Sequence, residues 1–117
     1  MASGTQVSYI VRIDVDADAT SGIDYELIHP GIIADAWFVT TTGAASNVTL
    51  QRQAQGAGSF NAVSSALSTA AANDVARTID IMAAQASCAA GDVLRASAGD
   101  ADIRGYLYVS IVQAPQQ

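Results

Sequence analysis

Apolar and polar residues alternate with a period of two along much of this chain. Over residues 6–16, Val7, Tyr9, Val11, Ile13 and Val15 fall on one face. Ser8, Arg12, Asp14 and Asp16 fall on the other, with Ile10 the exception. This predicts a strand with one buried face and one face that is wet or shared. The same period returns over 75–82. It returns again over 104–113, where Leu107, Val109 and Ile111 oppose Tyr106, Tyr108, Ser110 and Val112. Shorter strands are predicted over 23–29, ended by Pro30-Gly31, and over 93–98, entered through Gly91-Asp92. Residues 83–90 are small and polar. The Ala-, Ser- and Thr-rich stretch 62–72 reads as a strand over 62–67 followed by a turn, with a helix of about three turns as the alternative.

Residues 32–52 are the centre of the pattern. The run from Trp37 to Thr42 is aromatic and β-branched, and Gly43, Ser46 and Asn47 interrupt it before Val48-Thr49-Leu50. The stretch reads as a hairpin of two strands around a polar turn. Trp37 is the chain's single tryptophan and its largest apolar side chain, so it is expected to anchor the core.

Seven to eight short strands with regular turn signals predict an all-β, antiparallel β-sandwich or barrel. A chain of 117 residues makes one such domain, over 7–113, with a flexible N-terminal arm at 1–6 and a tail at 114–117. Half the residues are apolar, but only 6% are aromatic and many are alanine, so a thin core between two facing sheets is expected.

Charge changes the picture more than size does. The chain has five arginines, no lysine and eleven acids, for a net charge of −6. No basic footprint for phosphates is present, so no nucleic-acid partner is expected. The surface is polar but largely uncharged, and such a surface is easily buried against a partner. Arg52, Arg77, Arg95 and Arg104 lie in or beside predicted strands, either as fixed salt links or as balance for Asp74, Asp80, Asp92 and Asp102. No apolar run approaches the ~18 residues needed to span a bilayer, and the start carries no signal-peptide pattern, so no membrane partner and assembly in a cytoplasm are expected.

Candidate chemistry is sparse. Asp14, Asp16 and Asp18 stand two apart, which in a strand turns three carboxylates the same way, as calcium requires. The pattern fails beyond that point, since Ala19 and Tyr25 occupy the glycine and bidentate-acid positions of a calcium loop. The alternative is a solvated strand end whose like charges guard an edge. His29, the single histidine, precedes Pro30 with no nucleophile motif around it and reads as a loop histidine. Asp35 shares a strand face with Trp37 and is either a partly buried acid or the ion-pair partner of an arginine across the sheet. Gln55-Gly56-Ala57-Gly58 precedes no lysine and no helix, so it is a loop rather than a phosphate cradle. Cys88 is alone and reads as a small buried hydrophobe. No catalytic residue and no cofactor are expected.

Three stretches resemble the head decoration, or capsid cement, proteins of tailed bacteriophages. These are Asp35-Ala36-Trp37-Phe38-Val39-Thr40-Thr41 with the following Asn47-Val48-Thr49-Leu50-Gln51, then Ala89-Ala90-Gly91-Asp92-Val93-Leu94-Arg95-Ala96, then Arg104-Gly105-Tyr106-Leu107-Tyr108-Val109-Ser110-Ile111-Val112. The Asp14-to-Asp18 run is no part of that likeness. The resemblance implies a jelly-roll-like β-sandwich and a non-enzymatic virion protein on the outer capsid surface. It further implies the major capsid protein as partner and homo-oligomers, with a trimer favoured. Contact with capsid or neighbouring subunits is expected from the arm, Ala2, Ser3, Gly4, Thr5 and Gln6, and from the loop residues Gln55, Gly56, Gly58 and Phe60. The alternative is a carbohydrate- or receptor-binding sandwich of a virion fibre or adhesin, with Trp37, Tyr106 or Tyr108 as a stacking platform.

Overall fold

The alternating stretches form strands, and their apolar sides meet. In the computed structural model, residues 7–16, 21–41, 46–64, 66–69, 75–77, 81–99 and 103–113 are described. The strands are β1 (Val7–Val15), β2 (Ile23–Glu26), β3 (Gly31–Thr40), β4 (Ser46–Gln53), β5 (Asn61–Ala62), β6 (Leu67–Thr69), β7 (Val75–Arg77), β8 (Ser87–Cys88), β9 (Val93–Ala98) and β10 (Gly105–Gln113). One helical turn, α1 (Ala83–Ala86), precedes β8.

Two five-stranded antiparallel sheets pack face to face. The first runs β1-β10-β3-β7, with β8 also on β3. The second runs β2-β9-β4-β5, with β6 also on β4. First strand pairs with last, second with penultimate, third with β7 and β8, and fourth with β5 and β6. That is one long hairpin rolled over itself, the jelly-roll order, so the sandwich and its jelly-roll character are as expected.

The core lies between the sheets. Val11, Ile13 and Val15, Leu107, Val109 and Ile111, and Ile33, Ala36 and Phe38 project from the first sheet. Val48, Leu50, Leu94, Ala96 and Ala98 meet them from the second. Phe38 is the largest fully buried side chain, and burying a side chain of that kind contributes about 1.5–3 kcal/mol.

Three expectations are corrected. First, β3 and β4 do not form a hairpin. They belong to different sheets, so the chain crosses the sandwich between them. Polar turn chemistry serves a crossing as well as a tight turn. Second, Phe38, not Trp37, anchors the core. Neighbours on a strand point to opposite faces, and Trp37 lies half-buried on the outer side. Third, the described residues form ten strands rather than seven to eight. The stretch read as one strand over 62–67 is split into β5 and β6, with Ser64 bridging Ile81 between them. Residues 61–62 and 67–69 are strand and Ser64 forms an isolated bridge, which removes the helix alternative there. Residues 83–90, read only as small and polar, contribute α1 and β8.

Candidate docking face

The outer side of the first sheet is the most distinctive surface of the molecule. The register aligns Arg12 with Tyr108 and Tyr108 with Trp37, making one row across three strands. The next row aligns Asp14, Tyr106, Val39 and Val75. On the other side of the first row lie Ile10, Ser110 and Asp35, followed by Ser8, Val112 and Ile32. A bulge at Ala34 lets Asp35 and Ile32 both face outward, because Ser110 opposes Asp35 while Ile111 opposes Ile33.

Trp37 and Tyr108 stack with ring centroids 5.6 Å apart and planes 19° from parallel. Tyr106 lies 6.3 Å from Tyr108, and the Arg12 guanidinium sits 5.1 Å from the Tyr106 centroid. The stack occupies one face of each of its two rings, leaving less of them for a flat sugar. Around this row, Ile10, Ile32 and Val75 are 58%, 52% and 56% exposed. The carboxylate of Asp35 accepts a hydrogen bond from the Ala36 N–H at 2.8 Å.

The outer side of the second sheet differs. Asn47, Thr49, Gln51 and Gln53 on β4 alternate with the buried Val48 and Leu50, and Ser97 and Arg95 on β9 stand beside them. Arg95 forms a bidentate pair with Asp24, at 2.7 and 3.1 Å, while its guanidinium lies 3.8 Å from the Phe60 centroid. Phe60 is thereby held on this face. Gln55, Gly56 and Gly58 are exposed in the adjoining turn, whose base is fixed by Gln53 Nε2 donating to Ala57 O at 2.9 Å.

That turn is tied to a buried ion pair. Asp92 is 3% exposed and accepts hydrogen bonds from Arg52 Nη1 at 2.8 Å, Ala89 N–H at 2.9 Å and Gln55 N–H at 3.0 Å. Arg52 also donates to the Gln85 carbonyl at 2.9 Å and side-chain oxygen at 3.1 Å. Burial by itself raises the Asp92 pKa. The hydrogen bonds from Ala89, Gln55 and Arg52, together with the Arg52 charge, outweigh it and hold the carboxyl below its ordinary 3.8. Gly91 makes this possible, since its φ is +93° and a Cβ there would come within 2.8 Å of the Gln55 side chain.

The remaining candidates are dispersed. Asp14 pairs with Arg12 at 3.0 Å, and Asp16 lines an open cleft of about 420 Å³ with Arg104, Thr41 and Tyr106. Asp18 lies outside the described residues, among which no three metal-binding side chains cluster. Ala2, Ser3, Gly4, Thr5 and Gln6 also lie outside them. His29 is exposed, and its carbonyl accepts from the Tyr9 hydroxyl at 2.7 Å. Cys88 is buried beside β3, and burial pushes its thiol pKa up to about 11 despite the lowering charge of Arg52. Among the described residues no helix is long and apolar enough to cross a membrane.

Sequence reasoning raised Arg52 as a fixed salt link but missed its partners Gln85 and Asp92, which lie 33 and 40 residues away. It found the aromatic row only as an alternative. No family model, curated protein or solved structure matches the chain.

Proposed function

We propose that the protein is a non-enzymatic decoration protein that binds the outer surface of a tailed-phage capsid and stabilises it, acting as a homo-oligomer. The observation that carries this reading is the outer face of the first sheet. It presents Ile10, Ile32 and Val75 more than half exposed around a stacked Trp37–Tyr108 pair. A sandwich whose core lies on its inner side gains little in folding from Ile10, Ile32 and Val75 left exposed on such a face. Apolar surface of this kind, with few ions to desolvate, is suited to burial against another protein. On a shell the same contact repeats in many copies, so a modest free energy per copy adds up across the particle.

The N-terminal arm, Ala2 to Gln6, and the exposed turn at Gln55, Gly56 and Gly58 are proposed as secondary contacts. The test is co-sedimentation of the purified full chain with mature heads of the phage that encodes it. Saturable binding is the expected result, with occupancy reduced when residues 2–5 are deleted. Absence of binding to heads, with retention on immobilised glycans instead, replaces this reading with the carbohydrate-binding one.

A further inference from the structure

Among the described strands β1 is the edge of its sheet. Its register with β10 runs unbroken from Val7 opposite Gln113 to Val15 opposite Gly105. Among the described residues β10 is its one strand partner. Long exposed edges in natural proteins are usually blunted by proline, lysine, a bulge or short length. This nine-residue strand has no proline and no register shift, and the chain contains no lysine. Asp14, the one acid within it, is already neutralised by Arg12 at 3.0 Å, so like charge does not guard the edge there.

We infer that β1 pairs antiparallel with β1 of a second copy of this chain, about a two-fold axis at Ile13. Directly opposed residues in an antiparallel pair face the same side of the sheet. Val11, Ile13 and Val15 must stay on the core side, so the axis has to pass at a residue rather than between two. Each choice of residue then fixes which charges meet. At Arg12 the axis opposes arginine to arginine, and at Asp14 it opposes aspartate to aspartate. At Val11 it sets Arg12 against Ile10, and at Ile10 against Ser8. At Ile13 it sets Arg12 against Asp14 in both directions, with Val11 against Val15. An axis at Asp14 also sets Arg12 against Asp16, past the end of β1, but only by opposing Asp14 to itself; no other axis pairs unlike charges within Val7–Val15.

The two side chains are placed for this exchange. They stand on the outer face, 57% and 62% exposed, and already meet within one copy. The contact is isologous and joins the two five-stranded sheets edge to edge. It builds dimers, or assemblies made of dimers, in place of the trimer that the family resemblance implies. It is independent of what the docking face binds.

Sedimentation velocity of the full chain across a concentration series tests it. The wild type is expected to be a dimer or a multiple of one. Arg12→Asp and Asp14→Arg each set like charges opposite one another twice, and each is expected to weaken association by at least about tenfold. The double exchange, R12D with D14R, restores reciprocal pairs and is expected to recover association to within about threefold. Both side chains are exposed, so circular dichroism and thermal unfolding should show all three variants folded. An arginine that mattered only within its own chain would leave association unmoved. A wild type that is monomeric at every concentration, or trimeric, overturns the inference. So does a dimer indifferent to the single variants, or a double exchange that fails to restore it.

Discussion

The two outer faces of this sandwich obey the same period-two rule and carry opposite surfaces. Between the buried residues of the first sheet stand Ile10, Ile32, Trp37, Tyr106, Tyr108 and Val75. Between those of the second stand Asn47, Thr49, Gln51, Gln53 and Ser97, with the Asp24–Arg95 pair at the side. Both sheets supply buried residues to the one core between them, so folding does not require the difference. Amide and hydroxyl side chains keep their water unless a partner matches each one. Aromatic and aliphatic side chains lose little when covered. The first sheet's outer face is therefore the one better suited to being covered by a partner, and the second's the one better suited to water.

The largest effect tests which side of β3 is inside. Phe38→Ala should cost about 3–5 kcal/mol, because a fully buried ring leaves a cavity. Trp37→Ala, one residue earlier, should cost about 1 kcal/mol, mostly its stacking with Tyr108. Denaturant midpoints measure both. A larger loss at Trp37 than at Phe38 would reverse the face assignment.

The next effect concerns what holds the polar side in place. Asp92→Ala leaves the Arg52 guanidinium buried without its carboxylate and should cost about 3 kcal/mol. The folded carboxyl has a pKa below its ordinary 3.8. Its contribution is therefore fully present above that value and is lost as pH falls through the folded pKa. Urea unfolding should show wild type and Asp92→Asn well separated at about pH 7 and converging only as pH falls below the ordinary carboxyl value of 3.8 and through the depressed folded pKa. A gap that widens on acidification would contradict the depressed pKa.

A smaller effect is expected at the rim of the polar face. Asp24→Ala removes an ion pair whose side chains are 46% and 29% exposed, so the loss should stay below about 1 kcal/mol. Its clearer signature is local, since Arg95 is then free to leave Phe60, and amide exchange near residues 59–61 should quicken.

How much of this the sequence discloses depends on the range over which residues act. The inward sets Val11–Ile13–Val15 and Leu107–Val109–Ile111 follow from alternation alone, and so does the sandwich. β3 is harder, because both its sides are largely apolar: Ile33, Ala36 and Phe38 inside, Ile32, Trp37 and Val39 outside. Size argues for burying Trp37, but parity decides otherwise. The useful signal was Asp35, a charge on the same side as Trp37, which marks that side as the outer one. The β3–β4 relation was not legible, since a turn-rich segment reads alike whether strands pair or part. The Arg52–Asp92 lock was not legible either. Its partners are 40 residues apart, and Asp92 follows Gly91 as any turn aspartate would.

The smallest change in stability should give the sharpest separation of the two faces. Ile32→Asp and Thr49→Asp each place one carboxylate on an outer face, the first on β3 and the second on β4. Ile32 is already 52% exposed and Thr49 lies outside the core, so each should shift stability by no more than about 0.5 kcal/mol. Their effects on capsid binding should nevertheless diverge. A carboxylate beside Val112 must be dehydrated when that face is covered, and it lacks the backbone hydrogen bond that already satisfies Asp35, so covering it is costly. On the second sheet the added charge stays in water and changes little. Co-sedimentation with heads should therefore be lost for Ile32→Asp and kept for Thr49→Asp. The opposite pattern would assign docking to the amide-rich sheet, where Gln51 and Gln53 would have to find matched partners. Equal retention by both variants would move docking off the sheet faces and onto the arm and the Gln55–Phe60 turn.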